Sequence, residues 1–319
     1  MYHRVAEESC DPWGLCVSPA AFADQMAVLA KYRAAVDLTA FSSGEGYSKS
    51  GASIAVTFDD AYVDNLTAAL PIIEKYEIPI TIFAVSQTLG RRREFWWDAL
   101  TRAILESATL PVSLTLKLGE DVREFAIDDR PEDRALAQNW VADEDGPRTD
   151  REKLYVELWN AIVLLPPEAQ DLVTDEILLW AGASLKGPES RYPATREELS
   201  GHAGHPLLHI GSHTRTHRSL PDLSLAEQAE EIEGGHRDLE ETIGARIDRF
   251  SYPFGRLNSS AKKLVEALGV DVACTSAVSA ATSTMDRLAL PRLQSVERDE
   301  EAFTRWLQDE HHLLLRVGR

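Results

Sequence analysis

The chain has 319 residues, enough for one large α/β domain or two ordinary ones, and its 44% hydrophobic and 27% charged residues are typical of a globular protein. Its formal net charge of −19 argues against nucleic acid and anionic membranes as partners, because both would repel an acidic protein. Three cysteines without a C-x-x-C spacing (Cys10, Cys16 and Cys274) cannot all pair internally, so reduced thiols are expected.

The N-terminal sequence MYHRVAEE lacks the basic region and the apolar stretch of a signal peptide. No window approaches about 18 uninterrupted apolar residues, so no transmembrane segment is expected. We therefore predict a cytoplasmic protein, and the sequence does not indicate its oligomeric state.

Short apolar runs alternate with helical patterns in two stretches of the chain. In the first, strands at 53–58 and 80–85 flank a helix at 65–76, which is a βαβ unit with parallel strands. The second repeats the alternation in five predicted elements: strands at 207–211, 249–252 and 270–274, and helices at 225–243 and 259–268. This pattern predicts a (β/α) barrel or an open doubly wound sheet.

Between about residues 90 and 199 the pattern changes to amphipathic helices that carry five tryptophans. No internal repeat or low-complexity segment marks a linker at either end. We interpret this stretch as an α-rich insertion in a single catalytic domain that spans residues 1–319.

Two adjacent carboxylates, Asp59 and Asp60, directly follow the first predicted strand. Side chains alternate along a strand, so the two point in different directions and one can bind a metal ion while the other contacts a water molecule. Taken alone, a T-F-D-D motif is more often a helix cap or a turn, and that simpler interpretation stays open at this point.

Two histidines, His213 and His217, follow the strand at 207–211. Imidazoles four residues apart can share one ion, and a set of two histidines and one carboxylate leaves positions open for water and substrate. For H-x-x-x-H alone, surface or capping histidines are an equally good interpretation.

A third cluster, Arg249-Phe-Ser-Tyr-Pro-Phe-Gly255, places a charged residue and a Pro-x-Gly turn at another predicted strand. By itself it indicates only a strand that ends in a turn. All three clusters, however, fall at the carboxyl ends of predicted strands, where barrel and doubly wound enzymes build their active sites.

In order and spacing, Thr57-Phe-Asp-Asp60, Ser212-His-Thr-Arg-Thr-His217 and Arg249-x-x-x-Pro253-x-Gly255 resemble the motifs of the polysaccharide deacetylase (NodB-homology) family. The resemblance extends to Tyr2-His-Arg-Val5 and to Leu290-Pro-Arg292. It implies a distorted (β/α)7 barrel, here with an α-rich insertion, and a metal-dependent hydrolase that removes an N-acetyl group from an amino sugar.

The resemblance also implies a role for each matching residue. One divalent metal ion, Zn²⁺ by expectation with Ni²⁺, Co²⁺ or Fe²⁺ as alternatives, would be held by Asp60, His213 and His217. Asp59 would be the general base that takes a proton from the attacking water, and Arg249 would pair with Asp59. The backbone N–H of Tyr252 would help to stabilise the oxyanion.

The sequence departs from the family at the general acid, which protonates the leaving amine. The family's Leu-x-His motif is missing from the C-terminal stretch Leu313–Arg319. Some members resemble circular permutants that carry the strand and its histidine at the N-terminus, and His3 matches that place. We therefore predict that His3 is the acid, with a buried strand-end histidine as the alternative.

Two smaller departures concern the surroundings of the site. Ala61 replaces the usual glycine after the aspartate pair, and no clear fourth motif is present, so that Asp286 or Arg292 is expected to act as partner of the acid or base. Three residues are predicted to bind substrate: Pro253, Trp97 and Arg292. For Trp97, the reason is that tryptophan faces stack on sugar rings and that Trp96-Trp97 would form one wall of a cleft, although a core role explains most of these tryptophans more simply.

The predicted substrate is an N-acetylhexosamine unit of an oligosaccharide or of a lipid- or nucleotide-linked precursor. The missing signal peptide favours the intracellular precursor. An amidase, a deformylase or an O-acetyl esterase for another small substrate would use the same metal site and stays an alternative. A non-catalytic sugar-binding relative is less favoured, because neither Asp59 nor any metal ligand is lost.

Overall fold

The computed structural model describes residues 1–44, 52–142, 144–282 and 284–310. The stretch Leu313–Arg319, from which the usual Leu-x-His motif is missing, lies outside these ranges. The chain divides into two compact units: a larger one of Met1–Glu7, Cys16–Arg91 and Pro193–Arg319, and a smaller one of Glu8–Leu15 and Arg92–Tyr192. The smaller unit nearly coincides with the predicted insertion at 90–199 and adds a short N-terminal segment.

The described residues contain nine β-strands: β1 (Arg4–Val5), β2 (Cys16–Val17), β3 (Val56–Phe58), β4 (Ile80–Ala84), β5 (Ser113–Leu118), β6 (Asp121–Ala126), β7 (Leu208–Ser212), β8 (Arg249–Ser251) and β9 (Val272–Cys274). They also contain twelve α-helices: α1 (Pro19–Tyr32), α2 (Leu38–Ser43), α3 (Leu70–Tyr76), α4 (Trp96–Thr101), α5 (Asp133–Ala137), α6 (Asp150–Ile162), α7 (Pro167–Trp180), α8 (Arg196–Gly201), α9 (Leu225–Ala229), α10 (Gly235–Ile243), α11 (Ser259–Ala267) and α12 (Glu300–Arg305). None of these helices combines the length and the apolar character that crossing a membrane requires.

A parallel sheet of five strands, in the order β3-β4-β7-β8-β9, forms the centre of the larger unit. Every residue of β3, β4, β8 and β9 is buried, as expected for parallel strands that are covered on both faces. The predicted alternation of strands and helices is confirmed, although regular pairing covers fewer residues than predicted at the first strand, where β3 begins only at Val56.

Single bridges extend this sheet at both edges. Tyr2 pairs in parallel with Phe58, and Leu290 pairs in parallel with Cys274. Backbone hydrogen bonds then connect the two edges, since Ser295 N donates to Met1 O at 2.9 Å. The sheet therefore curls into the (β/α) barrel that the sequence predicts, with Tyr2 held next to β3 by its ring contact with Phe58 at 5.3 Å between centroids.

Helices α9 and α10 form one continuous segment, because the π-helical turn Glu230–Gly234 joins them. The predicted helix at 225–243 is thus confirmed, with a local change of winding in its middle. A second π-helical turn, Asn65–Ala69, leads into α3 and completes the helix predicted at 65–76.

The smaller unit contains α4 to α7 and an antiparallel hairpin of β5 and β6. The hairpin was not predicted, although β5 alternates strictly between exposed and buried residues and Gly119 has a positive φ of 67° in the turn. Both are signals of a hairpin, and the helical character of the surrounding sequence concealed them.

Candidate metal centre and active site

The chain leaves β3 through a strained turn that carries both aspartates. Asp60 (φ 73°) and Ala61 (φ 55°) have left-handed backbones, which cost a non-glycine residue roughly 1–2 kcal/mol each. Asp59 and Asp60 are only 3% and 2% exposed. Strain of this kind concentrates at functional sites, because the surrounding structure must maintain it.

The loop after β7 carries the two histidines. Its backbone is fixed to the segment after β4, since Ser86 N donates to Thr214 O at 3.2 Å and Gln87 N donates to Arg215 O at 2.9 Å. His217 (φ 63°) also has a left-handed backbone, and the turn brings the rings of His213 and His217 to 4.8 Å between centroids.

Three side chains converge on one point, and we call them the triad: Asp60, His213 and His217. Among the described residues, this is the group whose ligand atoms could hold a metal ion, and these atoms all lie within 4.8 Å of one another. Asp60 Oδ1 lies 3.4 Å from His217 Nε2 and 3.7 Å from His213 Nε2. The structure thus brings together the three residues that the sequence predicts as metal ligands.

The chemistry of these donors fits a divalent metal ion. His213 Nδ1 lies 2.7 Å from Ser251 O, and a carbonyl only accepts, so Nδ1 carries the proton and Nε2 keeps its lone pair. Burial lowers the pKa of His213, and burial together with the neighbouring His213 lowers the pKa of His217 well below its usual value. Both rings are therefore neutral at pH 7, which is the state that binds metal.

Asp59 forms a two-pronged ion pair with Arg292. The guanidinium donates to Asp59 Oδ1 at 2.8 Å and to Asp59 Oδ2 at 2.7 Å. Burial would raise the pKa of Asp59, but the charge of Arg292 and the nearby His213 outweigh it and hold that pKa well below its usual range. The carboxylate beside the triad is therefore ionised at any ordinary pH.

The predicted pairing of Arg249 with Asp59 is wrong. Arg249 is the first residue of β8 and forms ion pairs with Asp37 and Asp248, each at 2.9 Å. Asp59 lies just beyond the carboxyl end of β3, whereas Arg249 lies at the amino end of β8. Because the strands are parallel, the amino and carboxyl ends of the strands lie on opposite sides of the sheet. Arg292 occupies the place predicted for Arg249. From the sequence, Arg292 is one of two alternative partners expected for the acid or the base.

Arg292 has no donor left for a substrate, contrary to its predicted binding role. Its five N–H groups donate to four residues: Thr57, Asp59, Ser251 and Thr275. The oxyanion role of Tyr252 also disagrees with the structure, because Tyr252 N donates to Cys274 O at 3.0 Å and has a single hydrogen.

His3 lies at the same edge of the sheet as Asp59. Tyr2 O accepts from Asp59 N at 3.0 Å, and His3 O accepts from Asn65 Nδ2 at 2.8 Å, which fixes the backbone on both sides of the imidazole. Burial lowers the pKa of His3 to about 4, while the charge of Asp59 opposes this shift. His3 is therefore neutral at pH 7, and its role as general acid stays a prediction.

The remaining predicted residues occupy different environments. Pro253 is buried in the short helical turn Pro253–Gly255, where the neighbouring Phe254 ring lies 4.6 Å from the ring of His217. Asp286 pairs with Lys262 at the surface. Trp97 belongs to the smaller unit, where it is 6% exposed and stacks on Phe95 with 4.5 Å between centroids. Substrate binding by Pro253 and Trp97 stays a prediction.

Residues 46–108 and 190–273 match the sequence profile of the family described as polysaccharide deacetylase. No curated protein matches the chain. The fold is similar to those of three solved structures: the Streptococcus pyogenes deacetylase PplD in complex with acetate (TM-score 0.54, 15% identity, 97% of this chain and 95% of that chain), IcaB from Ammonifex degensii (0.51, 14%, 95% and 91%) and a de-N-acetylase from Aggregatibacter actinomycetemcomitans (0.51, 13%, 92% and 93%). At these identities the likeness establishes a shared fold.

Proposed function

We propose that this chain, whose residues 46–108 and 190–273 match the polysaccharide deacetylase family, hydrolyses an N-acetyl group from an N-acetylhexosamine unit of an oligosaccharide or of a lipid- or nucleotide-linked sugar precursor. The main support is the buried group of Asp60, His213 and His217 with the ionised Asp59 beside it. Fold relatives described as deacetylases, one of them with bound acetate, support the same reaction.

In this proposal Asp60, His213 and His217 hold one divalent ion, with zinc as the expected metal. When bound, such an ion would polarise the acetyl carbonyl, stabilise charge that develops on its oxygen and lower the pKa of a water molecule. The His213 ring is already oriented for this task by its hydrogen bond to Ser251 O.

Asp59 is the proposed general base. Arg292 keeps the carboxylate ionised and holds both of its oxygens, and Ser251 Oγ lies 3.3 Å from Asp59 Oδ2. A base that is fixed by three hydrogen bonds needs no reorientation when it takes the proton from water.

His3 is the proposed general acid. Its pKa of about 4 means that it carries no second proton of its own at pH 7. The proton that His3 passes to the leaving amine would therefore be the one that Asp59 has taken from water. The electrostatic coupling between His3 and Asp59 favours such a transfer, because a protonated imidazole beside a carboxylate is stabilised.

The test combines metal content by elemental analysis with acetate release from a panel of N-acetylated sugars. We expect about one metal ion per chain and acetate release from at least one sugar. Asp59→Asn should keep the metal and lose turnover. Metal without acetate release would favour the amidase, deformylase or esterase alternative, whereas the absence of metal after supplementation would overturn the proposal.

A further inference from the structure

The loop that carries both histidine ligands is strained. Thr214 (φ 65°) and His217 (φ 63°) have left-handed backbones, and each costs a non-glycine residue roughly 1–2 kcal/mol. Strain of this size persists only where neighbouring groups determine the backbone conformation. The groups that hold this loop therefore decide whether the two imidazoles can share an ion.

Glu231 contacts the middle of this loop. It is 5% exposed and lies in the π-helical turn between α9 and α10, a type of turn that is frequent at functional sites. Glu231 Oε2 accepts from Thr216 N at 2.8 Å and from Arg215 N at 3.2 Å. Its other oxygen, Oε1, accepts from the hydroxyl of Thr216.

The helix also approaches the loop backbone directly at Gly235. A Cβ at this position would lie 2.5 Å from Arg215 N and 2.5 Å from Thr214 C, a distance that no real contact tolerates. The absence of a side chain at Gly235 thus lets Glu231 reach the loop from the same helical segment.

We propose that Glu231 is a positioning residue for the metal centre: it holds the backbone between His213 and His217 in the shape in which both imidazoles face Asp60. The inference rests on the proposed function only in taking this triad as a metal site. Glu231 hydrogen-bonds to Arg215 and Thr216, which lie between the two histidines, so it acts on the ligands through the loop. Groups in this position typically change metal affinity by 10–100-fold when they are removed.

The experiment titrates metal-free protein with Co²⁺ in competition with a chromophoric chelator. Glu231→Leu removes all three hydrogen bonds and should weaken Co²⁺ binding by about 10–100-fold. Glu231→Gln should bind within about threefold of the wild type, since the amide oxygen can accept from both backbone N–H groups while the amide NH₂ donates to the Thr216 hydroxyl. Glu233→Leu is the matched control, because Glu233 is an exposed residue of the same turn.

Two further readouts separate positioning from general stability. The urea midpoint of each metal-free variant reports the fold, and the visible absorption of bound Co²⁺ reports the geometry of the ligands. We expect Glu231→Leu to change this absorption and Glu231→Gln to restore it. Should Glu231→Leu not fold, Thr216→Val tests the same contact from the loop side, with a several-fold weaker affinity as the expected result.

The outcomes also separate this inference from the proposed function. Failure of the wild type itself to bind Co²⁺ or Zn²⁺ would overturn both. A wild type that binds metal together with an unchanged affinity in Glu231→Leu would overturn only the positioning role. Equal losses in Glu231→Leu and Glu231→Gln would also overturn it, because the charge of Glu231 and not its hydrogen-bond geometry would then matter.

Discussion

Arg292→Met removes the guanidinium that neutralises Asp59 inside the curled sheet. Methionine approximates the length of arginine but donates no hydrogen bond, so the carboxylate loses two of its hydrogen bonds and its counter-charge. Asp59 is too deeply buried for water to replace them. Breaking a buried ion pair on one side costs about 3–5 kcal/mol, and we expect the free energy of unfolding at pH 7 to fall by that amount.

The loss should depend on pH in a defined direction. In the wild type the pKa of folded Asp59 lies below its ordinary value of 3.8, so the stabilisation is complete above that value and is lost as the pH falls through the folded pKa. In Arg292→Met, burial raises the pKa of Asp59, so the carboxyl can become neutral in the folded protein. The difference between the two proteins should therefore shrink by at least about 1 kcal/mol between pH 7 and about pH 4.

Urea denaturation in the presence of a chelator, followed by tryptophan fluorescence, measures these differences. Arg249→Met is the matched control: Arg249 and Arg292 are equally buried at 7% exposure, but the Asp37 partner of Arg249 is more accessible to water. The control should lose less stability. A loss below about 1 kcal/mol for Arg292→Met at pH 7, or a loss that grows as the pH falls, would refute the reasoning.

Four other predictions concern the metal centre and its loops. Zinc should raise the Tm of the wild type and leave that of His217→Ala unchanged in calorimetry, since binding to the folded state alone stabilises it by about 4 kcal/mol at 1,000 times Kd. Ala61→Gly should raise the urea midpoint, because glycine adopts the φ of 55° without the cost of a left-handed Cβ; a lower midpoint would contradict this. Gly235→Ala should lower stability by about 1–3 kcal/mol and weaken zinc binding, and wild-type values for both would show that the backbone of Thr214 moves freely. Burial lowers the pKa of folded His3 to about 4, so the unfolded chain binds this proton first and the free energy of unfolding should decrease as the pH falls from 6.5 to about 4. His3→Gln should therefore flatten the acid side of the stability profile of the metal-free protein.

The metal ligands could be predicted from sequence because each belongs to a short motif at the end of a strand. Asp60 lies two residues after β3, and His213 directly follows β7. A parallel sheet brings the carboxyl ends of its strands to one edge, so local positions along the chain suffice to bring these side chains together.

The charge partner of Asp59 could not be predicted in the same way. Arg249 and Arg292 both belong to the family-like pattern. Which of them pairs with Asp59 depends on the end of the sheet at which each lies, and Arg249 is the first residue of the three-residue strand β8. The amide of Tyr252 poses the same difficulty, because its hydrogen bond to Cys274 depends on which strand lies next to β8. Pairing across the sheet is a long-range property that neither motif contains.

Closure of the sheet through the segment after Leu290 also constrains biosynthesis. Asp59 and Arg292 are 233 residues apart, and at about 5–20 residues per second the ribosome needs roughly 10–50 s to make the chain between them. Late in this interval, once His217 has been made, the nascent chain contains Asp60, His213 and His217, but neither the bonds that join the sheet edges nor the cation for Asp59. A chain terminated shortly before Leu290 would therefore keep every proposed ligand and the proposed base while exposing unpaired strand edges to chaperones and proteases.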